Sequence, residues 1–452
     1  MNDQDASAGQ LLGIIRALSR EMRPGATGIE ALGLDHALER DYGLDSLARV
    51  ELLARIERDL GVKLAEAAFA EAETPRDLLR QMGNVAHAET TAATDAVSPA
   101  PTFTTTIEHP PDTIATLVEM LDWHVARHGE RAHITLYGEG EQSADITYRM
   151  LQAEAHALAA GLLTQDVQPG MRIAIMLPTG REFFAAFYGA MYAGCVPVPL
   201  YPPARPSQLE DHMRRIAGIV ANAEASVLVT DQRAKLLGHL LSAQCPSLRV
   251  VETVAELSRE IGGTQPSLPQ VRGGDIAFLQ YTSGSTGNPK GVVLTHANLL
   301  ANLRAMEQAS GVTADDIFVS WLPLYHDMGL IGACLGSMAI GFRLILMSPL
   351  SFLARPERWL AAIHRYRATV SAAPNFAYEL CAGKIADRDL EGLDLSSGRL
   401  AYNGAEPVSP ETIAHFAQRF GHYGLRPQAI TPVYGLAECS VGLAFPPPGR
   451  GP

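Results

Sequence analysis

Apolar residues follow two different spacings along this chain, and the change between them divides it. Near the N-terminus Leu11, Leu12, Ile14, Ile15 and Leu18 recur at helical spacing and mark one apolar face. The segment DYGLDSLARVELLARIERDLGV repeats that pattern. There Asp45 can cap a helix whose apolar face is Leu47, Val50, Leu53, Ile56 and Leu60. A later helix starts at Thr74-Pro75-Arg76-Asp77, with a capping Thr, Pro at the first helical position and an acid in the first turn. Residues 1–83 therefore read as a compact helical domain. Residues 84–106 are Ala, Thr and Pro with one large apolar side chain, which cannot build a core and reads as a flexible linker. From residue 107 to 452 short apolar runs alternate with amphipathic helical segments. That alternation predicts an α/β domain with strands buried on both faces.

Composition narrows the function classes. The chain has 452 residues, room for more than one domain, and 47% apolar content excludes general disorder. A formal net charge of −13 opposes coating of nucleic acid or an anionic membrane. Any phosphate must then be held by local backbone donors and a few placed cations. The five cysteines form no C-x-x-C pair, so neither a zinc site nor a disulfide framework is predicted. Met1 to Gln10 is polar and acidic, unlike a signal peptide, and no apolar run reaches the roughly 18 residues of a transmembrane helix. These features predict a cytoplasmic location.

Two segments carry candidate chemistry. Ser46 sits at the start of an amphipathic helix just after a turn containing Gly43. Its hydroxyl is predicted to be exposed, and a helix N-terminus favours a phosphodiester charge. Further on, IAFLQYTSGSTGNPKGVVL predicts a buried strand over Ile276–Tyr281, a small polar loop, a second strand over Gly291–Leu294 and a helix capped by Thr295. The loop contains Thr282, Ser283, Gly284, Ser285, Thr286, Gly287 and Lys290. Glycines let backbone N–H groups approach an anion, hydroxyls donate hydrogen bonds, and the lysine adds a cation. The loop is not a Walker A sequence, because Pro289 and Gly291 flank the lysine.

These residues resemble two known families. Gly-Leu-Asp-Ser-Leu in a small helical domain resembles the acyl carrier proteins, which implies a four-helix bundle with 4′-phosphopantetheine on Ser46, attached by a phosphopantetheinyl transferase. T-S-G-S-T-G-x-P-K-G resembles the phosphate loop of the adenylate-forming enzymes. Three further matches follow in order: the acyl-pocket motif at Trp321–Leu330 with His326, the adenine turn Asn403-Gly404-Ala405-Glu406, and Tyr434-Gly435-Leu436-Ala437-Glu438. The resemblance implies ATP contacts from the loop and Lys290, from Asn403 to Glu406 and from Tyr434 to Ala437. It implies Mg²⁺ near Glu438 and Thr282. His326 would orient the substrate carboxylate.

The phrases PLYHDMGLIG, RATVSAAPNFAYELC and LDLSSGRLAYNGAEPV resemble the fatty acyl-AMP ligase branch, and Ala437 stands where many CoA ligases have Thr. Tyr378 to Ser397 corresponds to the insertion of that branch, while Tyr325-His326-Asp327-Met328 replaces the acidic pocket motif expected for an amino-acid substrate. Gly329, Gly332 and Gly336 leave space for a long tail. The implied reaction joins a fatty acid to AMP and then transfers the acyl group to a pantetheine thiol. A downstream synthase or acyltransferase of a polyketide, lipopeptide or lipid pathway would take it from there. The family continues with a Gly-Asp motif and a C-terminal lid carrying a lysine, yet no Gly-Asp follows Tyr434 and no Lys follows Lys384, so the lid is expected to be absent. A fatty acyl-CoA synthetase and a lidless, weakly catalytic carrier-and-nucleotide-binding fragment remain the alternatives.

Overall fold

A computed structural model describes residues 3–22, 28–38, 41, 42, 44, 52, 55, 56, 59, 60, 62, 72–85, 108–138, 143–202, 209–259, 266–282 and 290–452. The chain divides into two compact units, one built chiefly on residues 1–98 and one on residues 99–202, 213–349 and 356–452.

In the first unit helices run over Asp3–Met22 and Pro75–Val85, with a 3-10 turn at Ile29–Ala31. Leu11, Ile15 and Leu18 are buried, as the periodicity predicts, and Leu12 and Ile14 pack at the margin. Residues 52, 55, 56, 59 and 60 are helical. Ile56 joins the core and Leu60 packs against it, together with Leu52, which the predicted face omitted. Leu47, Val50 and Leu53 of that face lie outside the described residues, as do Asp45 and Ser46. The Thr74 start is a reciprocal cap: Asp77 N–H donates to Thr74 Oγ1 (3.3 Å) and Thr74 N–H donates to Asp77 Oδ2 (3.0 Å). The last helix continues through Asn84 and Val85, two residues into the predicted linker, and residues 86–106 of that linker are outside the described ones.

The second unit has strands β1 Ala132–Tyr137, β2 Ser143–Thr147, β3 Arg172–Met176, β4 Val196–Pro199, β5 Val227–Thr230, β6 Val250–Thr253, β7 Ile276–Thr282, β8 Lys290–Thr295, β9 Ile317–Ser320, β10 Arg343–Leu346, β11 Val370–Ala373, β12 Leu400–Asn403 and β13 Ile430–Pro432. A seven-stranded sheet has the order β13-β12-β11-β9-β10-β1-β2, parallel throughout except for the β1–β2 pair. A second sheet, β4-β3-β5-β6, is parallel, and β7–β8 is an antiparallel hairpin. The parallel strands are the short apolar runs of the sequence, and β3, β4, β5, β10 and β11 are buried along nearly their whole length. Helices Tyr148–Thr164 and Arg181–Tyr192 can approach closely because Gly189 faces Leu158 and the Ala155 carbonyl; a Cβ there would sit 2.7 Å and 2.9 Å from them.

The hairpin bears out a buried strand over most of Ile276–Tyr281: Ala277, Phe278 and Gln280 are buried, and Leu279 and Tyr281 pack against the neighbouring core from the other face. Only its first residue, Ile276, is exposed (39%), and on the partner strand Val293 is 54% exposed, so the second apolar run, Gly291–Leu294, forms the outer strand of the ribbon. Thr295 caps the helix His296–Ser310 as predicted, accepting from Asn298 N–H at 3.1 Å. The Tyr378–Ser397 stretch, expected to be a family insertion, lies in the crossover between β11 and β12. It contains part of the helix Asn375–Lys384 and the 3-10 turn Asp387–Leu390. Among the described residues no helix is long and apolar enough to cross a membrane.

Candidate functional site

Strand order reverses at β9, with β10 on one side and β11 on the other. Open α/β sheets bind ligands in the crevice outside the carboxyl ends of strands at such a point. The predicted motifs converge on that edge. His326 follows β9, Asn403-Gly404-Ala405-Glu406 follow β12, and Tyr434 to Glu438 follow β13. A cavity of about 510 Å³ opens there.

The β9 loop turns back on itself before the π-helix Met328–Leu335. His326 is exposed; its Nδ1 accepts from Met328 N–H at 3.3 Å and lies 2.8 Å from Asp327 Oδ1. Asp327 accepts from Met328 N–H at 2.7 Å, so this acid, which sequence reasoning left without a role, fixes the helix start beside the imidazole. Gln280 of the hairpin donates to the Tyr325 carbonyl at 2.8 Å and ties the hairpin to this loop.

Thr282 and Lys290 face each other as the last pair of the hairpin, and both line the cavity. Ser283, Gly284, Ser285, Thr286 and Gly287 between them lie outside the described residues. Glu438 lines the cavity from the 3-10 turn Ala437–Cys439. Neither Lys290 nor Glu438 forms an ion pair among the described residues, so both charges are available to a ligand. No cluster of three metal-ligating side chains occurs among those residues. One carboxylate and a threonine hydroxyl beside an anion site suit Mg²⁺ shared with substrate phosphates, not a metal held by the protein alone.

The adenine-turn residues separate. Ala405 lines the cavity in a left-handed conformation (φ 68°). Asn403 is fully buried, donating to Asn375 Oδ1 at 3.2 Å, while its own Oδ1 has no partner. Gly404 packs on Val433, where a Cβ would meet the carbonyl at 2.9 Å. Glu406 turns away to accept from Phe376 N–H at 2.6 Å, at the start of the helix Asn375–Lys384. Tyr434, Gly435, Leu436 and Ala437 all line the cavity. Their turn is closed by Tyr434 N–H donating to Ala444 O (3.1 Å) and Ala444 N–H donating to Tyr434 O (2.9 Å). Ser440 and Val441 also have positive φ (62° and 85°), which is strained for a β-branched valine.

Away from this polar rim the cavity continues as an apolar tunnel between the sheet and the helix His296–Ser310. Leu303 and Met306 line it from the helix, Phe318, Val370 and Ala372 from β9 and β11, and Ile340 and Phe342 from the approach to β10. Gly332 and Gly336 open onto it; a Cβ at Gly332 would meet nothing within 4 Å. Gly329 instead packs against the Pro323 carbonyl. Most of the tunnel wall was missed in the sequence, because its residues read as ordinary core.

Comparison with known proteins agrees with this geometry. Residues 121–452 match the AMP-binding enzyme family, and residues 24–82 match the phosphopantetheine attachment site family. Over 330 residues the chain is 37% identical to medium-chain-fatty-acid–[acyl-carrier-protein] ligase JamA of Moorena producens, covering 72% of this chain and 55% of that protein. It is 38% identical over 315 residues to long-chain-fatty-acid–AMP ligase FadD26 of Mycobacterium marinum, covering 68% and 53%. The fatty acyl-adenylate ligase from L. pneumophila, solved with acyl adenylate and pyrophosphate, superposes with a TM-score of 0.68 at 36% identity, covering 75% of this chain and 58% of that one. The chain thus spans about half the length of the curated relatives it matches. It belongs to the AMP-binding enzyme family, its relatives include fatty-acid–AMP and fatty-acid–carrier-protein ligases, and a phosphopantetheine-attachment region precedes its AMP-binding part.

Proposed function

We propose that this protein activates a fatty acid with ATP and passes the acyl group to the phosphopantetheine thiol of a carrier domain. The observation that carries this reading is one cavity with two chemistries, a rim holding Lys290 and Glu438, neither ion-paired among the described residues, and a mainly apolar tunnel behind it. The rim suits a nucleotide triphosphate and the tunnel an alkyl chain. In the first half-reaction a carboxylate oxygen attacks the α-phosphorus and the bond to pyrophosphate breaks. Two anions must meet, so the barrier is chiefly electrostatic. Lys290 and the loop from Thr282 to Gly287 hold the phosphates, and His326 orients the carboxylate. Glu438 and Thr282 would hold Mg²⁺, which would offset charge on the departing pyrophosphate. The Ala405 backbone, which lines the cavity, suits an adenine edge.

In the second half-reaction a thiol attacks the acyl carbonyl and AMP leaves. A pantetheine arm carried on Ser46 would supply that thiol. The stretch of about 20 residues between the two regions spans roughly 25 Å if flexible, which would raise the local carrier concentration toward the millimolar range. Attachment requires a phosphopantetheinyl transferase, and the loaded acyl group would go on to a synthase or acyltransferase. Intact mass tests the whole scheme. The protein is incubated with a phosphopantetheinyl transferase and CoA, then with ATP, Mg²⁺ and a fatty-acid mixture. A pantetheine gain lost in Ser46→Ala, then an ATP-dependent acyl gain lost in Lys290→Ala, is the expected result. Acyl-CoA forming in place of the acyl-carrier product would make the protein a CoA synthetase. If ATP neither protects the folded chain thermally nor yields acyl-AMP, the reading fails.

A further inference from the structure

The tunnel is not uniformly apolar. The helix His296–Ser310 presents Glu307 and Ser310 to it beside Leu303 and Met306, and β12 presents Tyr402 from the opposite wall. Met306 packs beside Gly442, and Tyr402 beside Phe445 (ring centroids 5.7 Å), so this wall adjoins the turn after β13 and runs on from it along about 10 Å of helix from Leu303 to Ser310. Ser310 is buried and donates to the Met306 carbonyl at 2.5 Å. Tyr402 and Ser310 line the cavity together. Burial pushes the Tyr402 phenol up to about 12, so it remains a donor at neutral pH. Glu307 uses one carboxylate oxygen on His109 Nε2 (2.8 Å), and its other oxygen has no partner among the described residues.

An alkyl tail offers nothing to the open Glu307 oxygen, and covering that oxygen with methylenes removes its water and returns nothing. A hydroxyl on the tail can donate to the open Glu307 oxygen, or exchange hydrogen bonds with Tyr402 and Ser310.

Resting on the fatty-acid reading above, we propose that the preferred substrate carries a hydroxyl group on its acyl tail, recognised by Glu307, Ser310 and Tyr402. A site built to bond a hydroxyl discriminates strongly against the analogue that lacks it, because its polar groups are then left unpaired. The hydroxyl can sit on an aliphatic chain or on a terminal phenyl ring, and paired probes separate these sources.

The test is direct binding to the full chain by calorimetry in the presence of a non-hydrolysable ATP analogue. The probes are alkanoates of eight to sixteen carbons with their ω-hydroxy counterparts, and phenylalkanoates with their 4-hydroxyphenyl counterparts. At one length the hydroxylated member of one series is expected to bind at least about tenfold tighter, the worth of one net hydrogen bond. Tyr402→Phe and, separately, Ser310→Ala are expected to bring that ratio toward one. Equal affinity of every hydroxylated and plain pair overturns this inference and leaves the fatty-acid reading intact. Parallel loss for both members in the variants, with the ratio preserved, also overturns it. Absence of binding by every acid removes the fatty-acid reading and this inference with it.

Discussion

Replacing Gly435 by alanine tests whether the turn after β13 builds the nucleotide rim. A Cβ at this position would lie 1.6 Å from the Val441 carbonyl oxygen and 2.8 Å from its carbon. Reaching even 3.0 Å from that oxygen requires a displacement of about 1.4 Å, and the obstacle is backbone, which cannot rotate away as a side chain can. The displaced strand is tied by the paired Tyr434–Ala444 bonds and by Val441 N–H donating to Leu436 O at 3.2 Å. Losing two such bonds at about 1 kcal/mol each puts the competent turn about 2 kcal/mol out of reach, or roughly thirtyfold in ATP affinity. Tyr434, Ala437 and Glu438 would move with it, so the effect should appear in ATP titration by calorimetry, while circular dichroism remains that of a folded protein. Gly218→Ala is the control. That glycine lies inside the helix Leu209–Asn222 with nothing within 4 Å of a Cβ, so alanine should raise stability by up to about 1 kcal/mol. Unchanged ATP affinity in Gly435→Ala would refute the close approach and, with it, the role given to this turn.

Three further outcomes follow from particular contacts. Gly332→Leu directs a side chain into the tunnel, and a chain-length series in acyl-AMP formation should shift toward shorter acids; an unshifted series would show that the tail lies elsewhere. His124 is held at about 3 and His133 below the usual imidazole range, in both cases by burial, so the unfolded chain takes up protons below about pH 6.5 while the folded one does not. Their stabilisation is therefore complete above that pH and declines as pH falls toward 3. His133→Phe removes a ring with two unpartnered nitrogens and should reduce the loss of urea midpoint between pH 7 and pH 5; parallel profiles would contradict this. Arg399→Ala leaves Asp316, 6% exposed and bonded to it at 2.8 Å, buried without its cation, which should cost about 3 kcal/mol in denaturant unfolding.

The architecture was legible wherever one residue type has one structural meaning. Thr74-Pro75-Arg76-Asp77 and Thr295 cap helices where the sequence predicted, because caps depend on the local chain alone. The parallel strands were legible as apolar runs because both faces are covered. The same inference held over Ala277–Tyr281 and weakened on its partner strand, where Val293 in an equally apolar run is exposed. Adjacent motif residues can also part company: Ala405 enters the cavity while Glu406, next in sequence, caps a helix. A motif marks a turn, and only the turn's backbone decides which of its side chains faces the ligand.

The tunnel was illegible for a different reason. Phe318, Val370, Ala372 and Tyr402 lie on one face of the sheet by strand register, Val370 opposite Phe318 and Ala372 opposite Tyr402. Each alternates with a residue on the other face, as in any buried strand. What makes this face a tunnel wall is the small side chain at Ala372, the absent ones at Gly332 and Gly336, and a helix that keeps its distance. A void is a property of several elements at once and leaves no local signature. The polar rim, by contrast, is assembled from the ends of β9, β12 and β13 and from Thr282 and Lys290 of the β7–β8 hairpin. Turns after strands draw on glycine and small polar residues, and these are what the sequence displays, so the rim's place in the chain was legible. The apolar wall emerges only when helix and sheet are brought together, which is why the tail proposed to lie along it must be settled by binding measurements on the wall residues themselves.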